Sequence, residues 1–148
     1  MEYFKKWFYS NDDFVGEGGL ASVYLCYHPE KKHQKYVIKK ITDKTDIDIF
    51  DAEVELMQMI KDIKGTPTLI DKGIDSEGHP CLVMEYIEGV TLDRYIKRHG
   101  TLSLEQAVYF ADKILKILAQ VHESGVVYLD FRPSNIIVNW PQVTLIDW

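Results

Sequence analysis

The apolar residues of this chain change their spacing near residue 89, and that change limits the folds open to it. Before this point, short runs of β-branched and aromatic residues predict strands, with one helical stretch among them. After it, helical periodicity dominates. Because strands and helices are segregated rather than alternating, the sequence predicts an α+β protein of two lobes, with a hinge at residues 85–89.

The strand-rich part predicts a small antiparallel sheet of five strands. The predicted strands are residues 14–15, 22–27, 35–41, 68–73 and 80–86. Residues 75–78, with the sequence Asp-Ser-Glu-Gly, suit the turn of a hairpin between the last two strands. A stretch at residues 46–63 has the helical period instead, and its apolar face holds Leu56, Met57 and Ile60.

The C-terminal part predicts two helices followed by short strands. The helices are residues 91–98 and 103–122, and the strands are residues 126–127, 136–138 and 143–146. Ser103 and Gln106 have the spacing of a capping box at the start of the longer helix. The apolar stripe of that helix is predicted to hold Val108, Ala111, Leu115 and Leu118.

Charge and cysteine content exclude several classes of partner. The net charge is −6 and no Lys/Arg run is longer than a pair, so the basic footprint of a nucleic-acid or anionic-membrane binder is missing. Cys26 and Cys81 lie far apart and outside any zinc-ligand spacing, which fits a reducing compartment. No run approaches the roughly 18 apolar residues of a membrane span. We therefore expect a cytoplasmic chain with no nucleic-acid partner and no membrane partner.

A Gly-rich segment at residues 16–23 lies between two predicted strands. Its sequence is Gly-Glu-Gly-Gly-Leu-Ala-Ser-Val. Small residues in such a turn let backbone N–H groups come close to phosphate oxygens. A tight hairpin with no ligand has the same composition, so the segment alone leaves both interpretations open.

Two charged residues, Lys39 and Glu53, are interpreted together. Strand alternation places Lys39 and Lys40 on opposite faces of the sheet. Glu53 shares the apolar face of the predicted helix, where a carboxylate needs a partner. An inward Lys39 would supply that partner and would place an ammonium group near the Gly-rich segment. The alternatives are a solvated lysine and a glutamate that reaches water from the edge of the stripe.

The most informative block lies near the C-terminus. Asp130 and Asn135 have the spacing Asp-x-x-x-x-Asn, and Asp147 follows twelve residues later. Together they can supply one base and two oxygen ligands for Mg²⁺ bound to a triphosphate. Asp and Asn also cap turns, but the ordered set is harder to obtain by chance than any single member.

These motifs, in this order, resemble the eukaryotic-type (Hanks-type) Ser/Thr protein kinase family over essentially the whole chain. The Gly-rich loop of the family is matched with Ala21 in place of its third glycine. The resemblance assigns nucleotide contacts to this loop, to the strand lysine, to the gatekeeper and to the hinge: Gly16, Glu17, Gly18, Gly19, Ala21, Val23, Lys39, Met84, Glu85 and Ile87.

The same resemblance assigns the chemistry. Glu53 matches the helix partner of Lys39, and Asp130 matches the catalytic base. Arg132 takes the position of the lysine that supports the transferring phosphoryl group. Asn135 and Asp147 match the metal ligands. The implied cofactors are ATP and Mg²⁺, and the implied substrates are proteins with Ser or Thr hydroxyls.

The resemblance also implies the architecture. Residues 1–87 correspond to a complete small ATP-binding lobe, with a five-stranded antiparallel sheet and one helix. Residues 88–148 correspond to an incomplete start of the helical large lobe, ending inside the family's Asp-Phe-Gly motif with Trp148 in place of Phe. We therefore expect apolar faces that need cover from a partner or a missing C-terminal half. We also expect no kinase activity from these 148 residues alone.

Two further features bear on the class of kinase. Pro133 after the basic residue is more similar to Ser/Thr than to Tyr kinases. The family's His-Arg-Asp is Tyr128-Leu129-Asp130 here, so we expect no control through an arginine that pairs with a phosphorylated loop. Kinase-like phosphotransferases of small molecules share the Asp-x-x-x-x-Asn spacing and Ile-Asp-Trp, and a non-catalytic nucleotide-binding or interaction module is a third alternative.

Overall fold

The computed structural model describes residues 1–18, 20–31 and 33–148. The chain divides into two compact units. The N-terminal unit consists of Met1–Glu55 and Thr68–Tyr86, and the C-terminal unit consists of Leu56–Pro67 and Ile87–Trp148. Within the described residues, no helix has the length and apolar character needed to cross a bilayer.

The N-terminal unit is built on an antiparallel sheet of five strands. The strands are β3 (Phe14–Glu17), β4 (Ala21–Cys26), β5 (Tyr36–Ile41), β6 (Leu69–Ile74) and β7 (Pro80–Glu85). Their order in the sheet is β3-β4-β5-β7-β6, and every neighbouring pair is antiparallel. The predicted five-stranded sheet is therefore confirmed, and so is the hairpin between its last two strands in sequence.

Helix α1 (Ile47–Met59) covers one face of this sheet. Phe50 and Val54 of α1 pack in one apolar cluster with Ala21, Ile41 and Leu82. The helix ends four residues earlier than predicted, because the chain leaves the helical pattern in a turn in which the N–H of Ile63 donates to Ile60 O. Of the predicted apolar face, Met57 and Ile60 are buried and Leu56 is half-buried. Ile60 follows the end of the helix and packs in the core of the C-terminal unit.

A short hairpin, to which the sequence analysis assigned no structure, covers the opposite face. It pairs β1 (Glu2–Phe4) with β2 (Trp7–Tyr9). Its aromatic side chains join a second apolar cluster with residues of β4, β5 and β7. The buried members are Phe4, Trp7, Tyr9, Cys26, Tyr36, Ile38, Cys81 and Val83. The sheet of the N-terminal unit thus lies between α1 and this hairpin.

The C-terminal unit contains helices α2 (Leu92–His99) and α3 (Leu104–Glu123) and a sheet of three strands, β8 (Val90–Thr91), β9 (Ile136–Asn139) and β10 (Gln142–Leu145). The strand order is β10-β9-β8, all antiparallel. The capping box of α3 is confirmed: Gln106 N donates to Ser103 Oγ at 3.2 Å, and Ser103 N donates to Gln106 Oε1 at 3.0 Å.

The predicted apolar stripe of α3 is wrong. Val108, Ala111 and Leu115 are exposed and Leu118 is half-buried. The buried residues of α3 are Phe110, Ile114, Ile117 and Val121. The helix carries two adjacent apolar stripes, and the stripe with the phenylalanine and the isoleucines is the one that packs into the core of this unit.

The predicted strand at residues 126–127 is also wrong. Neither residue pairs with a strand, and the N–H of Val126 donates to Val121 O at 3.2 Å. This bond satisfies a carbonyl group at the C-terminal end of α3. The backbone donor that a strand would need is therefore used to end the helix.

Gly89 lies at a crowded point before β8. Its φ is +139°, and a Cβ there would lie 2.5 Å from Val138 O. Gly100 also has a positive φ, +81°, but a Cβ there would meet nothing within 4 Å. We expect Gly89→Ala to cost about 1 to 2 kcal/mol more stability than Gly100→Ala, because only the first adds a clash with backbone to the conformational strain. Urea unfolding of both variants checks this, and equal losses would contradict the clash.

Candidate functional site

The Gly-rich segment forms the turn between β3 and β4. Gly16 pairs with Val23 in the β3–β4 ladder, and Gly18 N donates to Ala21 O at 2.8 Å. Gly19 lies outside the described residues. A Cβ at Gly16 would meet nothing within 4 Å, and one at Gly18 would meet only Ala21 O at 3.9 Å. The packing of the chain itself therefore does not require glycine at either position.

The structure brings Lys39 and Glu53 into contact. Lys39 lies in the middle of β5 and Glu53 lies on the buried face of α1. Lys39 Nζ donates to Glu53 Oε1 at 2.7 Å, and the two side chains are only 16% and 10% exposed. The partner that the apolar position of Glu53 requires is thus supplied by the strand lysine, within the N-terminal unit.

Lys40 points to the opposite face of β5, as strand alternation predicts. Its ammonium group lies 2.9 Å from Asp75 Oδ2 and 3.0 Å from Glu77 Oε2. Burial alone would lower the pKa of Lys40, but the hydrogen bonds to these two carboxylates outweigh that effect and raise it. The two neighbouring lysines therefore have different partners, and only Lys39 contacts α1.

The predicted hinge residues lie at and after the end of β7. Met84 is half-buried and pairs with Val37, and Glu85 is exposed and pairs with Tyr36. Glu85 N donates to Thr68 O at 3.0 Å. Ile87 is half-buried and belongs to the C-terminal unit. The backbone from residue 86 to residue 88 is outside any strand.

In the C-terminal unit, three of the predicted site residues meet around Asp130. A short 3-10 helix at Pro133–Asn135 turns the chain back toward that residue. The amide Nδ2 of buried Asn135 donates to Asp130 O at 3.0 Å and to Asp130 Oδ2 at 2.8 Å. Arg132 Nη2 lies 3.0 Å from the same carboxylate oxygen. Two donors thus hold one oxygen of Asp130.

Asp147 follows β10 with a left-handed backbone conformation, at φ +62°. Aspartate tolerates this region better than most residues do. The flanking backbone is fixed on both sides: Ile146 N donates to Asn135 O at 3.0 Å, and Trp148 Nε1 donates to Leu145 O at 2.9 Å. The main chain that carries Asp147 is therefore tied to the loop that carries Asn135.

Tyr128 contacts both residues that flank Asp147, a role that was not predicted from the sequence. Its hydroxyl donates to Ile146 O, and its ring packs on Trp148 with the ring centres 4.3 Å apart. Burial raises the pKa of the Tyr128 phenol, and the negative charges of Asp147 and Asp130 add to that effect. The phenol therefore stays a donor. No sequence pattern marked this role, because the neighbours Val127 and Leu129 are themselves apolar and only the structure shows that they are exposed.

The side-chain oxygen atoms of Asn135 and Asp147 are of the kind that bind a hard cation. Among the described residues, no three or more His, Cys, Asp or Glu side chains form a ready metal cage. Mg²⁺ is commonly held by one or two protein oxygens together with substrate phosphates and water. Because the nitrogen of Asn135 is bound to Asp130, its amide oxygen is the atom suited to a cation, as is the carboxylate of Asp147. The donor set therefore fits Mg²⁺.

Comparison with known proteins agrees with this arrangement. Residues 9–148 match the protein kinase domain family. The serine/threonine-protein kinase PknK of Mycobacterium tuberculosis is 26% identical over 141 residues, covering 92% of this chain and 13% of that protein. A probable serine/threonine-protein kinase of Clostridium perfringens is 32% identical over 133 residues, covering 84% and 18%. The kinase unc-51 of Caenorhabditis elegans is 26% identical over 142 residues, covering 93% and 17%.

The chain thus spans at most 18% of the length of these three relatives. The match covers both units and includes every described residue of the candidate site. The resemblance to Hanks-type kinases is therefore confirmed, and this chain belongs to the protein kinase domain family.

Proposed function

We propose that this chain carries the nucleotide-binding residues and the catalytic loop of a protein kinase that transfers the γ-phosphoryl group of Mg-ATP to Ser or Thr hydroxyls of proteins. The observation that carries the proposal is the nearly buried contact between Lys39 and Glu53, 2.7 Å long. An ion pair in this position stabilises the fold only weakly relative to apolar residues, so a role in ligand binding explains it better.

The N-terminal unit would contact the nucleotide. Glu53 holds the Lys39 side chain in one direction, so that its ammonium group can contact α- and β-phosphate oxygens. Gly16 and Gly18 have free space at their Cβ positions, which supports close approach of a ligand to their backbone. Glu17, Gly19, Ala21 and Val23 would complete this loop, and Met84, Glu85 and Ile87 would contact adenine.

The C-terminal unit would perform the transfer. Asn135 and Arg132 hold Oδ2 of Asp130, which leaves Oδ1 to orient the substrate hydroxyl and accept its proton. Arg132 is exposed and cationic, so its other N–H groups can contact the transferring phosphoryl oxygens. The hydroxyl oxygen forms the new bond to phosphorus as the bond to the β-phosphate oxygen breaks.

Asn135 and Asp147 would hold Mg²⁺ through oxygen atoms. The ion, when bound, neutralises charge on the phosphates. The contribution of this chain is to fix both ligands. Asn135 is fixed by its bonds to Asp130, and the backbone of Asp147 is fixed by Tyr128 and Trp148 through the carbonyl groups of neighbouring residues. Pro133 and the names of the relatives support Ser/Thr rather than Tyr specificity.

Nucleotide binding tests the proposal on the 148-residue chain. Saturating Mg-ATP should raise the melting temperature by roughly 5 to 10 °C, the shift expected at about a hundredfold excess over the dissociation constant. Lys39→Ala should remove the shift. Lys40→Ala is the matched control: it should lower the baseline melting temperature through the loss of its contacts with Asp75 and Glu77 but keep the ATP shift. A cooperative transition with no shift in the wild-type chain would sink the proposal.

A further inference from the structure

The hairpin β1–β2 lies almost entirely before the segment that matches the kinase family, which begins at residue 9. It nevertheless packs tightly on the N-terminal unit. Phe4, Trp7 and Tyr9 are at most 4% exposed, and they share a cluster with Cys26 and Cys81, which are both fully buried. The hairpin thus covers the face of the sheet that carries both cysteines.

Few backbone contacts attach this cover. Among the described residues, the backbone hydrogen bonds that join it to the sheet are those between Phe8 and Tyr27, at 3.1 and 3.0 Å. Two of its polar side-chain ties meet at one carboxylate, because Asp71 accepts from Lys5 Nζ at 2.6 Å and from Trp7 Nε1 at 3.0 Å. Lys5 Nζ also donates to Lys72 O at 2.7 Å, and Glu2 Oε2 lies 3.7 Å from Lys40 Nζ. The attachment therefore depends on side chains, chiefly the three buried aromatic ones, rather than on backbone pairing.

The five-stranded sheet does not need the cover for its own ladder. Its strands are hydrogen-bonded to one another, and α1 packs on the opposite face. The strands of the cover pair with each other and with none of the five strands of the sheet, so the cover can detach without breaking any strand pairing of the sheet. A two-stranded hairpin has marginal stability by itself. Segments with few protected backbone hydrogen bonds open at a lower free energy than the free energy of global unfolding.

We propose that residues 1–9 form a cover that opens as one unit while the rest of the chain stays folded, and that this opening makes Cys26 and Cys81 accessible. Burial raises the pKa of both thiols to about 12, so the closed state offers very little reactive thiolate. Opening also uncovers the apolar face of β5, the strand that carries Lys39 on its other face. The inference does not depend on nucleotide binding.

Thiol labelling with an aromatic disulfide reagent tests the opening on the wild-type chain. In urea concentrations well below the unfolding midpoint, the labelling rate should rise with a much smaller slope than the slope of global unfolding, because opening exposes only the cover and the face beneath it. Single-cysteine variants, Cys26→Ser and Cys81→Ser, should show the same opening behaviour. A slope equal to that of global unfolding, or a thiol that reacts only on global unfolding, overturns the proposal.

Variants of the cover give a second measurement. Trp7→Ala removes one of the three anchors and should raise the labelling rate at least about tenfold in the absence of urea. Tyr3→Ala is the matched control, because Tyr3 lies in the same hairpin and is 62% exposed, and its labelling rate should stay within about twofold of wild type. If Trp7→Ala does not fold, Lys5→Ala, which removes the hydrogen bonds to Asp71 and to Lys72 O, should raise the rate several-fold. Equal rates in the anchor or tie variants and in Tyr3→Ala overturn the proposal.

Discussion

Replacing Glu53 with glutamine should lower the free energy of unfolding by roughly 2 to 3 kcal/mol, although the change alters neither size nor shape. The carboxylate accepts the ammonium of Lys39 at 2.7 Å, and both side chains are largely buried. Removing the charge of Glu53 leaves the buried ammonium group of Lys39 without a carboxylate partner. This costs more stability than the loss of an exposed ion pair would. Urea unfolding of the wild type and the variant measures the difference.

Glu55→Gln is the matched control for this prediction. Glu55 lies two residues further along α1 and is exposed, so the same chemical change there should alter stability by less than about 0.5 kcal/mol. Equal effects of the two substitutions would show that the contact with Lys39 contributes nothing specific. A loss of stability in Glu53→Gln together with a weakened ATP shift would link the ion pair to the proposed nucleotide contact.

The contact between Lys39 and Glu53 could be predicted because two local rules converge on it. Strand alternation separates Lys39 from Lys40, and the helical period places Glu53 among apolar residues. Both rules act over a few residues and do not depend on tertiary structure. The same holds for the capping box of Ser103 and Gln106, whose bonds are made within one helical turn. These features are set by sequence-local geometry.

The N-terminal hairpin could not be predicted in the same way. Its strands have three residues each, too few to show a period, and its aromatic side chains are buried by residues of β4, β5 and β7 that lie far away in sequence. The role of Tyr128 has the same origin. Its hydrogen bond to Ile146 and its ring contact with Trp148 join residues 18 and 20 positions apart. Such contacts depend on how distant segments pack, and one sequence does not reveal that.

The buried face of α3 was predicted wrongly, because local sequence patterns do not determine which face of this helix is buried. A helix with two adjacent apolar stripes satisfies the periodic pattern with either stripe inward. The stripe at Val108 and Leu115 was predicted, but the structure buries the stripe at Phe110 and Ile114, which has an equally regular spacing. Packing with other parts of the C-terminal unit determines which stripe is buried. The effect of mutations in each stripe on stability tests the result.

Alanine substitutions at two adjacent residues of α3, Ile114 and Leu115, compare the buried stripe with the exposed one. Ile114 is 8% exposed and lies in the apolar core with Phe110, Ile117 and Val121, whereas Leu115 is 64% exposed. Ile114→Ala should lower the free energy of unfolding by about 2 to 5 kcal/mol, because it removes three carbon atoms from a packed core and leaves a cavity. Leu115→Ala removes the same number of atoms from the next position and should change stability by less than about 0.5 kcal/mol.

The comparison is well matched, because the two side chains are isomers in the same helical turn and both become alanine. Helix propensity changes slightly in favour of alanine in both variants, so it cannot produce a large difference between them. Urea unfolding of the three proteins, followed by far-UV circular dichroism, gives the two free-energy changes. A loss for Leu115→Ala as large as that for Ile114→Ala would mean that the exposed stripe is covered in solution, and the burial pattern of α3 given above would then be wrong.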